Sequence, residues 1–119
     1  MSFLKSIKYY NDYKFFQKGD FIFRQGDPGD VMYALVDGDV EIIFDGSQIS
    51  IVKPGEVLGE MALIDKKPRS ATARALTDCK VVVINEQRFN FLMQQTPVFV
   101  AEIMKVMSDR LRTMDNESV

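Results

Sequence analysis

The residues whose types and spacing could do chemistry lie between Gly55 and Ala75. Gly59 precedes a run of helix formers, where a glycine lets the backbone approach a ligand and unpaired N–H groups attract an anion. Glu60 offers a carboxylate that can accept hydroxyl hydrogen bonds. Arg69 follows the stiffening residue Pro68, and a guanidinium donates two parallel charge-assisted hydrogen bonds to a phosphate. These residue types predict a phosphate-binding donor beside an acceptor for a sugar hydroxyl.

A single phosphate charge next to a ribose hydroxyl is what a cyclic nucleotide presents. The spacing by itself also allows a structural interpretation of both charged residues. Glu60 could complement the positive end of a short helix, and Arg69 could be a solvated loop residue. The residues alone leave these two interpretations open.

The composition narrows the classes of function. The 119 residues are 46% hydrophobic and 27% charged, which is typical of one globular domain, expected to span residues 1–119. The absence of histidine removes Ser-His-Asp and Cys-His catalysis and nearly all catalytic zinc sites. Cys79 is the one cysteine, so no internal disulfide can form, and we expect it in the core. We therefore expect no catalytic residues, no metal and no cofactor.

Net charge and hydropathy indicate which partners and which cellular compartment to expect. The net charge is −2, and Lys66-Lys67 with Arg69 form one loop rather than a basic stripe, so direct nucleic-acid binding is not expected. The apolar stretches are too short to span a bilayer, and we expect no cleavable leader. We expect a cytoplasmic protein without membrane insertion.

Short strands separated by turn residues surround the stretch described above. Val31 to Val36 and Val40 to Phe44 form a predicted hairpin around Asp37-Gly38, and Asp45-Gly46 repeats the hairpin signal. Further strands are predicted at residues 21–23, 49–52, 70–76 and 80–84. Their spacing of roughly ten residues is typical of a sandwich, jelly roll or barrel, which we place at about residues 13–84.

Helices are predicted at both ends and in the middle of the chain. A helical turn is expected within residues 2–12, and a short helix follows Gly59 and ends before Asp65. Asn85 can cap a helix, and Thr96-Pro97 fits the start of another. These C-terminal helices should cover about residues 86–114.

The Gly55–Ala75 stretch resembles the phosphate-binding cassette of cyclic nucleotide-binding domains. That cassette has a Gly-Glu pair, a short helix of small and apolar residues, and a Pro-Arg-(Ala/Ser/Thr)-Ala run. Here the elements stand as Gly59-Glu60, Met61-Ala62-Leu63 and Pro68-Arg69-Ser70-Ala71. Further matches are Lys18-Gly19-Asp20, Phe23, Gly26-Asp27, Met32-Tyr33 and Gly38-Asp39-Val40. The likeness covers about residues 13–114 and implies an eight-stranded antiparallel β-roll or jelly roll with a cassette helix and C-terminal helices.

The resemblance also implies a role for each matched residue. Glu60 would accept the ribose 2′-hydroxyl, and Arg69 would pair with the cyclic phosphate. Ser70 could bond the phosphate or a guanine amino group. The remaining expected ligand contacts are the backbone N–H groups around Gly59, Met61, Ala62 and Ala71, with Val57 and Leu58 lining the base and sugar side.

The C-terminal helix resembles the helix that covers the base in this family. Arg110 falls near an arginine that some members direct at the ligand, and the alternative is an exposed charge on an amphipathic helix. Met114 and Asp115 stand where one bacterial branch has a polar pair. Base recognition by that pair, and dimerisation through a long helix, are therefore not implied.

The resemblance implies a regulatory receptor without catalysis that takes cAMP ahead of cGMP, because threonine at position 70 would have favoured cGMP more than Ser70 does. One alternative is a cGMP-preferring receptor. Another is a protein-interaction module that kept the fold and lost the ligand. The expected partners are the nucleotide and an effector protein, with a weak homodimer left open.

Overall fold

The computed structural model describes residues 13–118, with the side chains of the last helix described as far as Asp109. The helical turn expected within residues 2–12 lies outside the described residues. Within residues 13–118 the chain forms eight strands and three helices.

The eight strands form two four-stranded sheets. The strands are β1 Tyr13–Phe16, β2 Phe21–Phe23, β3 Val31–Asp37, β4 Val40–Phe44, β5 Ser47–Val52, β6 Val57–Leu58, β7 Thr72–Ala75 and β8 Cys79–Asn85. One sheet has the order β1-β8-β3-β6 and the other β2-β7-β4-β5. Every pairing between these strands is antiparallel, which confirms the expected eight-stranded roll. Strand β6 was not predicted, because two residues are too few to show a period.

The three helices are α1 Met61–Ile64, α2 Glu86–Gln95 and α3 Pro97–Ser118. Asn85 caps α2 as expected, because its side-chain oxygen accepts a hydrogen bond from the Arg88 N–H at 2.8 Å. Thr96 separates α2 from α3, and its carbonyl accepts from the Phe99 N–H at 3.0 Å. The helical backbone continues past the expected end at about Met114, as far as Ser118, the last described residue. Among the described helices, none combines the length and apolar character needed to cross a bilayer.

Two hydrophobic clusters hold these elements together. The first joins the two sheets and includes the fully buried Leu35, Val40 and Val81. Cys79 belongs to this cluster, as expected, and burial raises the pKa of its thiol. The second packs all three helices against the β1-β8-β3-β6 sheet, through Leu63 of α1, Leu92 of α2, and Phe99 and Ile103 of α3. Helix α1 therefore shares one apolar core with both C-terminal helices.

Candidate functional site

A cavity of about 770 Å³ lies between strands β4 and β5, the β6–α1 segment, the loop at residues 69–71 and helix α3. This volume is in the range of small-molecule sites, about 300–1,000 Å³. The structure brings nine of the sequence-predicted residues into its wall: Val57, Leu58, Gly59, Glu60, Met61, Ala62, Arg69, Ser70 and Ala71. The side chain of the tenth, Arg110, lies outside the described part of the chain.

Backbone hydrogen bonds fix the position of Arg69. Its N–H donates to the carbonyl of Asp27 at 2.8 Å, and its own carbonyl accepts from the Gly26 N–H at 2.8 Å. The Asp27 carboxylate in turn accepts from the Arg24 N–H, which closes the turn before β3. A turn distant in sequence thereby anchors the loop that carries the guanidinium.

The Arg69 side chain is buried, with only 7% of its surface exposed. Nη1 donates to the Gly59 carbonyl at 3.0 Å and Nη2 to the Val31 carbonyl at 2.8 Å. The buried Nε has no hydrogen-bond partner among the described residues. The interpretation of Arg69 as a solvated loop residue is therefore wrong. One N–H donor of the guanidinium has no hydrogen bond to the described residues.

An aromatic column supports the guanidinium from one side. The Arg69 Cζ lies 4.2 Å from the centroid of the Phe23 ring, within the range of a cation–π contact. The Phe23 ring stacks on Tyr33 with centroids 6.2 Å apart, and Phe16 meets Tyr33 edge to face. This column limits the orientations that the guanidinium can adopt.

Burial lowers the pKa of Arg69, because removal from water disfavours the charged form. Nearby groups oppose this effect and raise the pKa of Arg69: Tyr33 and the carboxylates of Asp30, Asp27 and Glu60. An arginine remains protonated under such conditions. The cavity therefore contains a largely desolvated cation.

Two glycines make room for the guanidinium. A Cβ at Gly29 would clash with Nε of Arg69. Gly59 has a φ of +76°, and a Cβ there would lie 2.7 Å from Nη1 of Arg69 and 3.1 Å from the Phe23 ring. At both positions the backbone passes so close to the Arg69 side chain that only a residue without a Cβ fits.

Glu60 is 3% exposed and directly precedes α1. Its backbone has helical angles, and its side chain makes no capping hydrogen bond. The carboxylate therefore does not cap α1 by a hydrogen bond, while the interpretation that its charge complements the positive end of this short helix stays open. Glu60 lines the same cavity wall as Arg69.

The backbone N–H groups expected to cradle an anion are in part engaged. The Ala62 N–H donates to the Gly59 carbonyl at a long 3.3 Å, and the neighbouring Leu63 N–H, which was not among the expected groups, donates to the backbone carbonyl of Glu60 at 3.0 Å. Gly59 thus accepts from both Ala62 and Arg69. This carbonyl connects the start of α1 with the guanidinium.

Two walls of the cavity contain residues that the sequence did not single out, although the C-terminal helix was expected to cover the base. Strands β4 and β5 contribute an apolar wall of Ile42, Phe44, Ile49 and Ile51. Helix α3 contributes Glu102, Lys105, Val106 and Asp109, which lie near Glu56 of the loop before β6. The helical spacing of the α3 residues was visible in the sequence, but spacing alone could not show which of them line the cavity.

Glu102 has an elevated pKa. Burial is the largest cause, Glu56 and Asp109 add to it by charge repulsion, and Lys105 opposes it. A carboxyl group whose pKa is higher in the folded state binds protons better there than in the unfolded chain. Its contribution to stability is therefore present at low pH and is lost as the pH rises through the folded-state pKa.

This sign leads to a prediction for Glu102→Gln. The free energy of unfolding of the wild type, relative to that of the variant, should increase as the pH falls from about 7 to about 4.5. Urea unfolding at several pH values measures the difference. Glu86→Gln, which removes an exposed carboxylate paired with Lys66, controls for the loss of one charge. A difference between wild type and Glu102→Gln that does not vary with pH would contradict the prediction.

Comparison with known proteins identifies a family whose members are similar to this chain. Residues 13–96 match the family model of the cyclic nucleotide-binding domain. The chain is 39% identical over 80 residues to a cAMP-dependent protein kinase regulatory subunit of Emericella nidulans, an alignment that covers 66% of this chain and 19% of the relative.

Solved structures show the same relationship. The Thermus thermophilus catabolite activator protein superposes with a TM-score of 0.78 at 29% identity, over 89% of this chain and 52% of that one. The cAMP-bound PfPKA-R (141–441) gives a TM-score of 0.75 at 29% identity, over 89% of this chain and 36% of that one. The chain therefore spans only part of the relatives it matches. With a family model matching most of its length, the chain belongs to the cyclic nucleotide-binding domain family.

Proposed function

We propose that this chain is a receptor module that binds a cyclic nucleotide, cAMP ahead of cGMP, and regulates an effector protein without catalysis of its own. The observation that carries the proposal is the unpartnered Nε of Arg69. Nε is a buried donor atom of a cationic side chain, and that side chain lines a cavity large enough for a small ligand. Leaving such a donor unpaired costs about 1–3 kcal/mol. Nε lies against Gly29, which does not line the cavity, so a phosphate would pair with it once the guanidinium turned toward the cavity.

Each cavity residue takes a role in this proposal. Arg69 pairs with the single charge of the cyclic phosphate, and Glu60 accepts the ribose 2′-hydroxyl. Ser70 is exposed in the cavity wall, where its hydroxyl is available to the phosphate or to a purine amino group. Val57 and Leu58 supply apolar contact, and backbone N–H groups around Gly59, Met61, Ala62 and Ala71 assist the phosphate. Arg110 stays a candidate contact from α3.

The second hydrophobic cluster suggests how binding is transmitted. Leu63 of α1 lies in the same apolar cluster as Leu92 of α2 and Phe99 of α3. A ligand that draws α1 toward Arg69 and Glu60 would change the packing of Leu63 and hence the position of the C-terminal helices. The ligand can drive this shift only through its difference in affinity for the two arrangements.

Two alternative functions within the same fold would use the cavity residues differently. A cGMP-preferring receptor would use the Ser70 hydroxyl against the guanine amino group. An interaction module that no longer binds ligand would have no use for a buried Arg69 beside a buried Glu60. That pair favours a receptor, because a cyclic phosphate and a ribose hydroxyl would use a cation and a carboxylate in the same cavity wall.

The chain has no histidine, so we propose a binding protein rather than a hydrolase of the same ligand. We further propose that residues 1–119 act as one domain in the cytoplasm. They would contact an effector protein rather than nucleic acid or membrane, and could pair as a weak homodimer.

Amide NMR spectra recorded during a cAMP titration test the proposal. We expect the largest shift changes at residues 59–62 and 69–71, with secondary changes in α3 through Leu63 and Phe99. Adenosine, which lacks the phosphate, serves as the control and should perturb residues 69–71 much less. Absence of any change with cAMP, or changes confined to residues outside the cavity, would overturn the proposal.

A further inference from the structure

The ring of Phe23 lies beside the proposed phosphate-binding cation, although Phe23 is not part of the cassette. Phe23 belongs to strand β2, and its ring centroid is 4.2 Å from Cζ of Arg69. Both residues line the same cavity. A cation within about 6 Å of an aromatic face is attracted by the quadrupole of the ring. This contact therefore joins a strand of the roll to the functional end of Arg69.

The same ring also lies close to the glycine of the cassette. A Cβ at Gly59 would be 3.1 Å from Cε2 of Phe23 and 2.7 Å from Nη1 of Arg69. Nη1 in turn donates to the Gly59 carbonyl at 3.0 Å. Phe23, Gly59 and Arg69 therefore form one three-way contact, and a smaller side chain at position 23 would open space beside both cassette residues.

The ring adds a third point of support to the guanidinium. Nη1 and Nη2 are held by hydrogen bonds to the carbonyls of Gly59 and Val31. Two such points leave a planar group free to tilt about the line that joins them. The contact with Phe23 acts at Cζ, the centre of the group, and therefore opposes this tilt.

Strand residues hold the ring in turn. Phe23 stacks on Tyr33 with an interplanar angle of 21°, and Tyr33 is buried in the core between the sheets. The two aromatic residues lie in strands β2 and β3, which belong to different sheets. Arg69 lies in a loop, and a functional group on a loop is placed accurately only when packed neighbours restrict it. Phe23 supplies such a neighbour from the sheets.

We propose that Phe23 is a positioning residue that raises the affinity for the ligand phosphate by holding the guanidinium of Arg69 in place. The inference rests on the proposed function. A cation that is already ordered loses less conformational freedom when the ligand binds. The ring also keeps water from one side of the cation, and a less hydrated cation attracts an anion more strongly. Phe23 thus acts on the phosphate through Arg69 rather than by touching it.

The test replaces Phe23 in the full chain by phenylalanine analogues that carry one, two or three fluorine atoms on the ring. Fluorine withdraws electron density from the ring and weakens a cation–π contact stepwise, while it changes the size of the ring little. The variant Phe23→Leu removes the ring altogether. Affinity for cAMP is measured by calorimetric titration, and thermal unfolding shows that each protein is folded.

The affinity for cAMP should decrease with each added fluorine. We expect a total loss of about three- to tenfold with three fluorine atoms, the range that corresponds to a partly desolvated cation–π contact. Phe23→Leu should lose at least as much. The stepwise dependence is the decisive result, because a residue that only fills space would respond to loss of the ring and not to its electron density.

Phe21 provides a matched control. Its ring centroid is also 4.2 Å from the Cζ of an arginine, Arg24, and Phe21 is not among the described residues that line the ligand cavity. The same analogues at position 21 should change the cAMP affinity by less than about twofold.

Three results would contradict the account, and they are distinguishable. Equal cAMP affinities across the folded fluorinated series at position 23 would overturn the positioning role, even if Phe23→Leu weakened binding, since packing alone would explain that loss. An equal decrease at position 21 would overturn it as well, because the effect would not be specific for the contact with Arg69. Failure of the unmodified chain to bind cAMP would instead overturn the proposed function.

Discussion

Replacing Arg69 by alanine lowers the affinity for cAMP by about two to three and a half decades. Removing one partner of a buried ion pair typically costs about 3–5 kcal/mol, and each decade of affinity corresponds to about 1.4 kcal/mol. Arg69 meets the condition for a value in this range, because its guanidinium is buried and stacked on Phe23. Fluorescence or calorimetric titration of the variant measures the loss.

The structure adds an effect on stability to this prediction. Arg69→Ala also removes the hydrogen bonds to the carbonyls of Gly59 and Val31, so the variant should unfold at lower denaturant. Arg69→Lys is the matched control, since it keeps the charge but loses the planar fork and the stacking. Its cAMP affinity should fall between those of the wild type and Arg69→Ala. A folded Arg69→Ala variant that binds cAMP within about threefold of wild type would exclude Arg69 from the site.

The second large effect is expected at Glu60. Glu60→Ala should weaken cAMP binding by about one to two decades, because a hydrogen bond to a charged group contributes roughly 1.5–3 kcal/mol. The loss is smaller than at Arg69, since only a hydroxyl is left without its partner. Titration of the variant with cAMP measures it, and Glu60→Gln, which keeps an acceptor without charge, should lose less.

A cycle with 2′-deoxy-cAMP isolates the proposed contact of Glu60. The wild type should discriminate clearly between cAMP and 2′-deoxy-cAMP, whereas Glu60→Ala should bind the two with similar affinity. The difference between the two ratios is the coupling between carboxylate and hydroxyl. If Glu60→Ala kept the full discrimination of the wild type, the ribose hydroxyl would have a different partner.

The fold was largely predictable because its local signals agree with one another. Asp37-Gly38 and Asp45-Gly46 fall at the turns that follow β3 and β4, and Asn85 caps α2 as its position suggested. The errors occur where local signals are weak. Strand β6 is two residues long, and no glycine or proline after Met114 interrupts α3 within the described residues.

The site was predictable in its cassette and not in its surroundings. Gly59, Glu60 and Arg69 lie close together along the chain, so the sequence itself shows the motif that they form. The supports of Arg69 come from distant segments, through the Asp27 carbonyl, the Val31 carbonyl and the Phe23 ring. Such contacts depend on how two sheets pack, and no local pattern encodes them.

The most direct measurement is calorimetric titration of the purified, folded chain, freed of bound nucleotide, with cAMP and cGMP, using 5′-AMP as control. The account predicts saturable binding of a cyclic nucleotide with micromolar or better affinity, cAMP ahead of cGMP, and 5′-AMP weaker by at least about tenfold. Absence of heat with both cyclic nucleotides over that concentration range, confirmed by an unchanged thermal unfolding midpoint, would contradict the account and favour the interaction module.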